Sequence, residues 1–143
     1  MLKGISPLLQ PELLKILAEM GHGDEIVIGD ANFPAATMGK RCVRCDGHAV
    51  TDILDAILRL LPLDTFVEAP VTLMSVVPGT LAEDPPIWQD VRSIVEKHEP
   101  GTKIAFLERF AFYDRSKEAF ATVQTGETAL YACVILKKGV IGK

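Results

Sequence analysis

Leu13-Leu-Lys-Ile-Leu-Ala-Glu-Met-Gly-His-Gly-Asp-Glu-Ile-Val-Ile-Gly-Asp-Ala-Asn-Phe-Pro-Ala-Ala36 is the stretch whose reading sets the order of elements. Leu13, Leu14, Ile16, Leu17 and Met20 form an apolar stripe at helical spacing. The helix they predict opens on Pro11, where a missing N–H costs nothing. Gly21 is expected to end it as the residue that takes the left-handed conformation. His22 then sits between two glycines, and Ile26-Val27-Ile28 predicts a buried strand over 25–29. Asp30 falls where that strand ends, the place where ligands of open α/β sheets gather. An imidazole and a carboxylate flanking one apolar strand point to acid–base chemistry. The plainer alternatives are a hydrogen-bonded loop histidine and a turn-forming aspartate.

Outward from this stretch the pattern keeps alternating. Residues 31–40 are read as a loop, with Phe33 extended before Pro34. A strand over 41–45 carries Cys42 and Cys45, which lie three apart and so point to opposite faces. That argues against a metal or redox role for the pair, and no second C-x-x-C accompanies it. A helix over 50–61 ends at Pro62, a strand covers 71–77, and 80–86 is loop. Pro85-Pro86 leads a helix to about His98, whose place in the last turn suits the helix dipole. A strand over 103–108, a short helix ending at Phe120, a strand over 121–124 and a closing strand over 131–137 complete the chain. Helices and strands alternating in this way predict an α/β layered sheet with flanking helices. The 143 residues are expected to form a single domain, 1–143.

Composition narrows the function classes. The chain carries a formal charge of −4 with its basic residues scattered, which argues against a nucleic-acid backbone as partner. No apolar run approaches the ~18–20 residues that span a bilayer. The first residues show no apolar signal region, and three cysteines suit a reducing compartment, so a cytoplasmic location is expected. Neither a G-x-G-x-x-G nor a G-x-x-x-x-G-K-[S/T] loop is present, and no G-x-S-x-G elbow presents a serine. What remains is a set of polar residues near the ends of apolar strands: His22, Asp30, Asp64, Arg109, Tyr113 and Tyr131. Such a set suits a small neutral hydroxylated ligand, with no metal and no cofactor.

These residues lie in stretches that resemble the ribose pyranase and fucose mutarotase family, and its fucose branch in particular. They are Leu-Ala-Glu-Met-Gly-His-Gly-Asp-Glu-Ile (17–26), Asp30 with Asn-Phe-Pro-Ala (32–35), Leu-Leu-Pro-Leu-Asp-Thr-Phe (60–66), Glu-Arg-Phe-Ala-Phe-Tyr (108–113), Thr-Gly-Glu (125–127) and Leu-Lys-Lys-Gly-Val (136–140). The ribose branch usually has histidine where this chain has Arg109. The resemblance implies a ribose pyranase-like fold and an isomerase that interconverts the anomers of a free sugar, with L-fucose favoured. It implies His22 as proton donor, a role suited to a side chain that ordinarily titrates near neutrality. It also implies Tyr113 as a second proton carrier. Asp30, Asp64, Met74, Arg109, Tyr131 and Cys133 match sugar-binding positions. Cys133 replaces an asparagine that usually closes the family's Tyr-Gly-Asn or Tyr-Ala-Asn motif, and a thiol supplies weaker hydrogen bonding. A sugar-binding protein that has lost turnover at that position is the alternative.

His22 and Asp30 flank one strand, and eight extended residues can reach ~26 Å. A site shared between neighbouring subunits resolves that separation. The resemblance implies a ring-like homo-oligomer with such composite sites.

Overall fold

The computed structural model describes residues 1–80 and 84–142; of the predicted loop 80–86, residues 81–83 lie outside them. Its elements are α1 (Pro11–Glu19), β1 (Glu25–Gly29), α2 (Ala35–Met38), β2 (Cys42–Cys45), α3 (Val50–Leu58) and β3 (Val71–Met74). Then follow α4 (Pro86–His98), β4 (Ile104–Leu107), α5 (Arg109–Glu118), β5 (Ala121–Thr125) and β6 (Val134–Lys137). The strands form one sheet in the order β2-β5-β1-β6-β3-β4. Pairing is parallel throughout except at β6, which runs antiparallel to both β1 and β3. The carboxyl ends of β1, β3 and β5 therefore share one edge of the sheet with the amino end of β6. This geometry decides where the candidate residues meet.

Side chains alternate across the sheet, as the pleat requires. Ile26, Ile28, Leu73, Val134 and Leu136 pack under α1, α3 and α4 in the larger core. Val27, Met74 and Ile135 face the other way, toward Ala35 of α2 and Phe112 of α5. Cys45 belongs to the first layer and Cys42 to the second, so the two sulfurs diverge as expected. The second face also buries polar side chains with partners: Thr122 Oγ1 donates to the Ala35 carbonyl (3.0 Å), tying α2 to β5. Arg115 grips Glu25 through two N–H groups (3.0 and 2.6 Å) and donates to Thr72 Oγ1 (3.1 Å).

Five local expectations shift. The loop 31–40 contains α2, a single turn after Pro34 that closes at Gly39, where a Cβ would land on Thr122 Oγ1. The helix expected over 50–61 closes at Leu58, and Leu60 and Leu61 turn back onto the Ile57 carbonyl ahead of Pro62. The strand expected over 71–77 ends at Met74. The last helix starts at Arg109, because Glu108 caps it by accepting from the Phe110 and Ala111 amides (3.0 and 3.2 Å). The closing strand begins at Val134 rather than Tyr131, since Tyr131 has φ +60 and cannot continue a strand.

Candidate active site

The turn that carries His22 differs from its prediction in one respect. Gly21 is not left-handed; the residue with positive φ (+84) is Gly23, on the other side of the histidine. α1 stops in extended backbone at Met20, and Gly21 donates its N–H to Asp24 Oδ2 (2.7 Å). His22 is thus presented outward, with its side chain 45% exposed. Its Nε2 lies 3.1 Å from Asp64 Oδ1, the same oxygen that accepts from the Phe66 amide (3.0 Å). The Phe66 ring stands 5.3 Å from the imidazole and is 76% exposed. The Phe66 amide, with the His22 contact and charge behind it, holds the Asp64 carboxyl below the usual carboxylate range despite burial. An ionised Asp64 can only accept, so Nε2 carries the proton and Nδ1 faces away from the pair.

Six of the eight sequence-predicted residues converge elsewhere. Asp30, Met74, Arg109, Tyr113, Tyr131 and Cys133 line one pocket of about 320 Å³, completed by Asn32, Phe33 and Leu130. Asp30 leaves β1 with its Oδ1 accepting from the Asn32 amide (2.9 Å) and its Oδ2 3.5 Å from the Cys133 thiol. Burial raises its proton affinity, and the amides and thiol offset that only in part. Burial likewise pushes the Cys133 thiol well up, with the neighbouring Asp30 charge adding to it, so Cys133 stays a neutral S–H donor. Arg109 donates Nε–H to the Tyr113 hydroxyl (3.3 Å), and its guanidinium lies 5.5 Å from that ring's centroid. Met74 ends β3 at the same edge.

Tyr131 is the strained member. It is the one residue other than glycine at positive φ among the described residues, and three contacts hold it there. Its hydroxyl accepts from the Val77 amide (3.1 Å) and meets Thr80 Oγ1 (2.9 Å), while its carbonyl accepts from Trp88 Nε1 (3.0 Å). Strain kept by surrounding contacts is a common mark of functional positions.

Residues beyond the predicted set shape the Asp30 loop. Gln124 Nε2 donates to the Asp30 carbonyl (2.6 Å), Thr125 Oγ1 to the Gly29 carbonyl (2.7 Å), and the Ala31 amide to the Glu127 carbonyl (2.8 Å). Gly126 is required between them because a Cβ there would strike the Asp46 carbonyl. Their signal in the sequence is two adjacent polar residues, Gln124 and Thr125, ending a strand, followed by glycine.

His22 and Asp64 do not join this pocket. His22 precedes β1 and Asp64 pairs with the end of β6, its amide donating to the Lys137 carbonyl (3.1 Å). They occupy the sheet edge opposite Asp30, separated by the length of β1, about 16 Å for five residues. Among the described residues, no group of three or more His, Cys, Asp and Glu side chains is gathered closely enough to hold a metal ion. No helix among them is long and apolar enough to cross a membrane.

Comparison with known proteins gives concordant results. Residues 3–141 match the RbsD / FucU transport protein family. The fucose mutarotase of Homo sapiens is 49% identical over 145 residues, covering 98% of this chain and 94% of that one. The L-fucose mutarotase of Actinobacillus pleuropneumoniae serotype 5b is 49% identical over 141 residues, covering 98% and 97%. The crystal structure of the fucose mutarotase from Streptococcus pneumoniae in complex with L-fucose superposes with a TM-score of 0.93 at 49% identity, covering 99% of this chain and 100% of that one.

Proposed function

The chain belongs to the RbsD / FucU family, and from that membership we propose that it is an isomerase interconverting the α and β anomers of L-fucose, with His22 as its proton donor. The observation that carries the proton-transfer role is the His22–Asp64 pair. A carboxylate fixed on Nε2 leaves Nδ1 as the nitrogen that exchanges protons with a sugar.

Mutarotation needs one proton delivered and one removed. Protonated His22 gives its Nδ1 proton to the ring oxygen as the bond from that oxygen to the anomeric carbon breaks. The anomeric hydroxyl loses its proton at the same time, leaving an open-chain aldehyde. Rotation about the bond to the next carbon presents the other face, the chain hydroxyl adds back, and both protons return. Tyr113 relays the anomeric proton: its oxygen accepts that proton as its own O–H proton passes to solvent, and the Arg109 N–H donated to the same oxygen holds it in place. Asp30 accepts from sugar hydroxyls, Arg109 donates to sugar oxygens through its planar fork, and Met74 packs on the ring. Tyr131 and Cys133 complete the binding wall. General acid–base help of this kind contributes roughly 10²–10⁴ in rate.

A single chain sets these halves on opposite sheet edges, so the working site forms where the His22 edge of one subunit meets the Asp30 pocket of the next. Exposed apolar residues flank both halves, Phe66 and Val67 on one, Phe110 and Leu130 on the other, as expected of association surfaces. The assembly is a ring-like homo-oligomer acting in the cytoplasm, where the free thiols Cys42, Cys45 and Cys133 remain reduced.

Saturation-transfer NMR between the α and β anomeric protons of L-fucose, with D-ribose in parallel, tests the reading. Exchange on L-fucose is expected, and in His22→Ala it falls by about 10²–10⁴. Exchange confined to D-ribose would move the substrate assignment. Binding of L-fucose without exchange would overturn the enzymatic reading.

A further inference from the structure

The aim of His22 depends on a residue more than a hundred positions away. α1 has no basic residue in its last turn. Its closing carbonyls instead receive the Lys138 ammonium, which donates to the Leu17 carbonyl (3.1 Å) and to the Met20 carbonyl. A helix carries partial negative charge at this end, so a half-buried cation is well suited there. The Lys138 backbone meanwhile brackets the histidine turn: its carbonyl accepts from the Gly23 amide and its amide donates to the Asp24 carbonyl, both at 2.8 Å. Side chain and main chain of one residue thus grip both ends of the segment 20–24.

The same strand end also holds the partner arm. Lys138 forms a bridge with Leu63, the Lys137 carbonyl accepts from the Asp64 amide (3.1 Å), and the Gly139 amide donates to the Pro62 carbonyl (2.8 Å). Gly139 has no room for a side chain, since a Cβ would strike the Leu63 backbone. The arms bearing His22 and Asp64 are therefore registered against one three-residue rail. We propose that Lys138 is a positioning residue for His22: its ammonium, seated on the carbonyls that end α1, fixes the turn that aims the imidazole at Asp64. The inference rests on the reading of His22 as the proton donor. It is distinct from helix capping alone because the capped end leads within two residues into the acid–base group. Small displacements of such a group cost rate out of proportion to their size.

The test uses the full-length protein as Lys138→Met, Lys138→Arg and Lys15→Met. Lys15 is an exposed α1 lysine paired with Glu19, so its variant removes a charge from the same helix away from the turn. Two readings are taken: the His22 nitrogen signals in a long-range proton–nitrogen NMR spectrum, and kcat and KM for L-fucose anomer exchange. With only three histidines, assignment against His22→Gln is direct. In Lys138→Met, His22 is expected to leave the single Nε2–H tautomer, and kcat to fall about ten-fold with KM little changed. Lys138→Arg restores both, and Lys15→Met moves neither. If Lys138→Met does not fold, the same readings on Lys138→Gln decide. Unchanged His22 signals and kcat in a folded Lys138 variant, even with a lowered melting temperature, would overturn the proposal. A wild-type protein inert toward L-fucose would sink the activity reading alone and leave the nitrogen signals to decide on Lys138.

Discussion

Asp30 and Asp64 sit at opposite edges of the sheet and are almost equally inaccessible, 6% and 4% exposed. Their proton affinities nevertheless move in opposite directions. Asp64 accepts from the Phe66 amide and from His22, with the charge of Lys137 nearby, and these outweigh its burial. Asp30 has the backbone amide of Asn32, weaker help from the Phe33 and Ala132 amides and a weak thiol donor at Cys133, and burial prevails. Low accessibility alone does not set the charge of a carboxylate. Asp30 lies deep among packed atoms, where desolvation outweighs its donors, whereas Asp64 is covered mainly by its own contacts near the surface, where the Phe66 amide prevails. The fold uses that difference to keep one aspartate as a fixed anion beside the imidazole. The other lies deep in a pocket where sugar hydroxyls can add to its donors.

The sharpest way to break this comparison is to put the two halves in different chains. His22→Ala and Asp30→Asn are each expected to lose nearly all anomer exchange. Co-expressed, they regain about a quarter of wild-type activity, the share of random subunit interfaces that pair two intact halves. No recovery in a co-assembled sample would place each working site within one chain. A smaller loss, about ten- to a hundred-fold in kcat, is expected for Asp64→Asn. The amide can donate as well as accept, so Nε2–H no longer has a dedicated acceptor; an unchanged His22 tautomer and rate would remove Asp64 from the mechanism.

The smallest effect concerns stability. A carboxyl whose folded proton affinity is raised loses stability as pH rises from its unfolded value near 3.9 through the folded one. Asp30→Asn removes that penalty while keeping an acceptor for the Asn32 amide. It is therefore expected to be about 1 kcal/mol more stable than wild type at pH 7, with the advantage vanishing below about pH 4. Urea unfolding across that range checks it, and a variant less stable at pH 7 would contradict the account of Asp30.

Much of this was legible in the chain. The unbroken β-branched run Ile26-Val27-Ile28 announced β1, and apolar spacing announced α1, α3 and α4, because burial imposes those patterns wherever the elements fall. α2 and α5 were harder for a physical reason. α2 is a single turn held by Thr122, and only Phe112 and Ser116 of α5 are buried, so neither carries a sustained apolar stripe. The Glu108 cap of α5 also lies outside the commonest capping residues. Position near strand ends singled out His22, Asp30, Asp64, Arg109, Tyr113 and Tyr131, and family likeness added Met74 and Cys133, but neither revealed Gln124, Thr125 or Lys138 as their supports.

By itself the sequence determined the layered α/β arrangement, the glycine-bounded exposure of His22, and the placement of His22 and Asp30 at the two ends of one strand. These follow from local periodicity and backbone freedom, which neighbouring residues settle among themselves. Only the tertiary structure decided that β6 enters the sheet antiparallel between β1 and β3. That insertion brings Cys133 and Tyr131 to Asp30 at one edge and Asp64 and Lys138 to His22 at the other. Strand order rests on hydrogen bonds between residues far apart in the chain. The burial that raises the proton affinity of Asp30 comes from the same long-range packing, whereas the Phe66 amide that lowers that of Asp64 is a local contact.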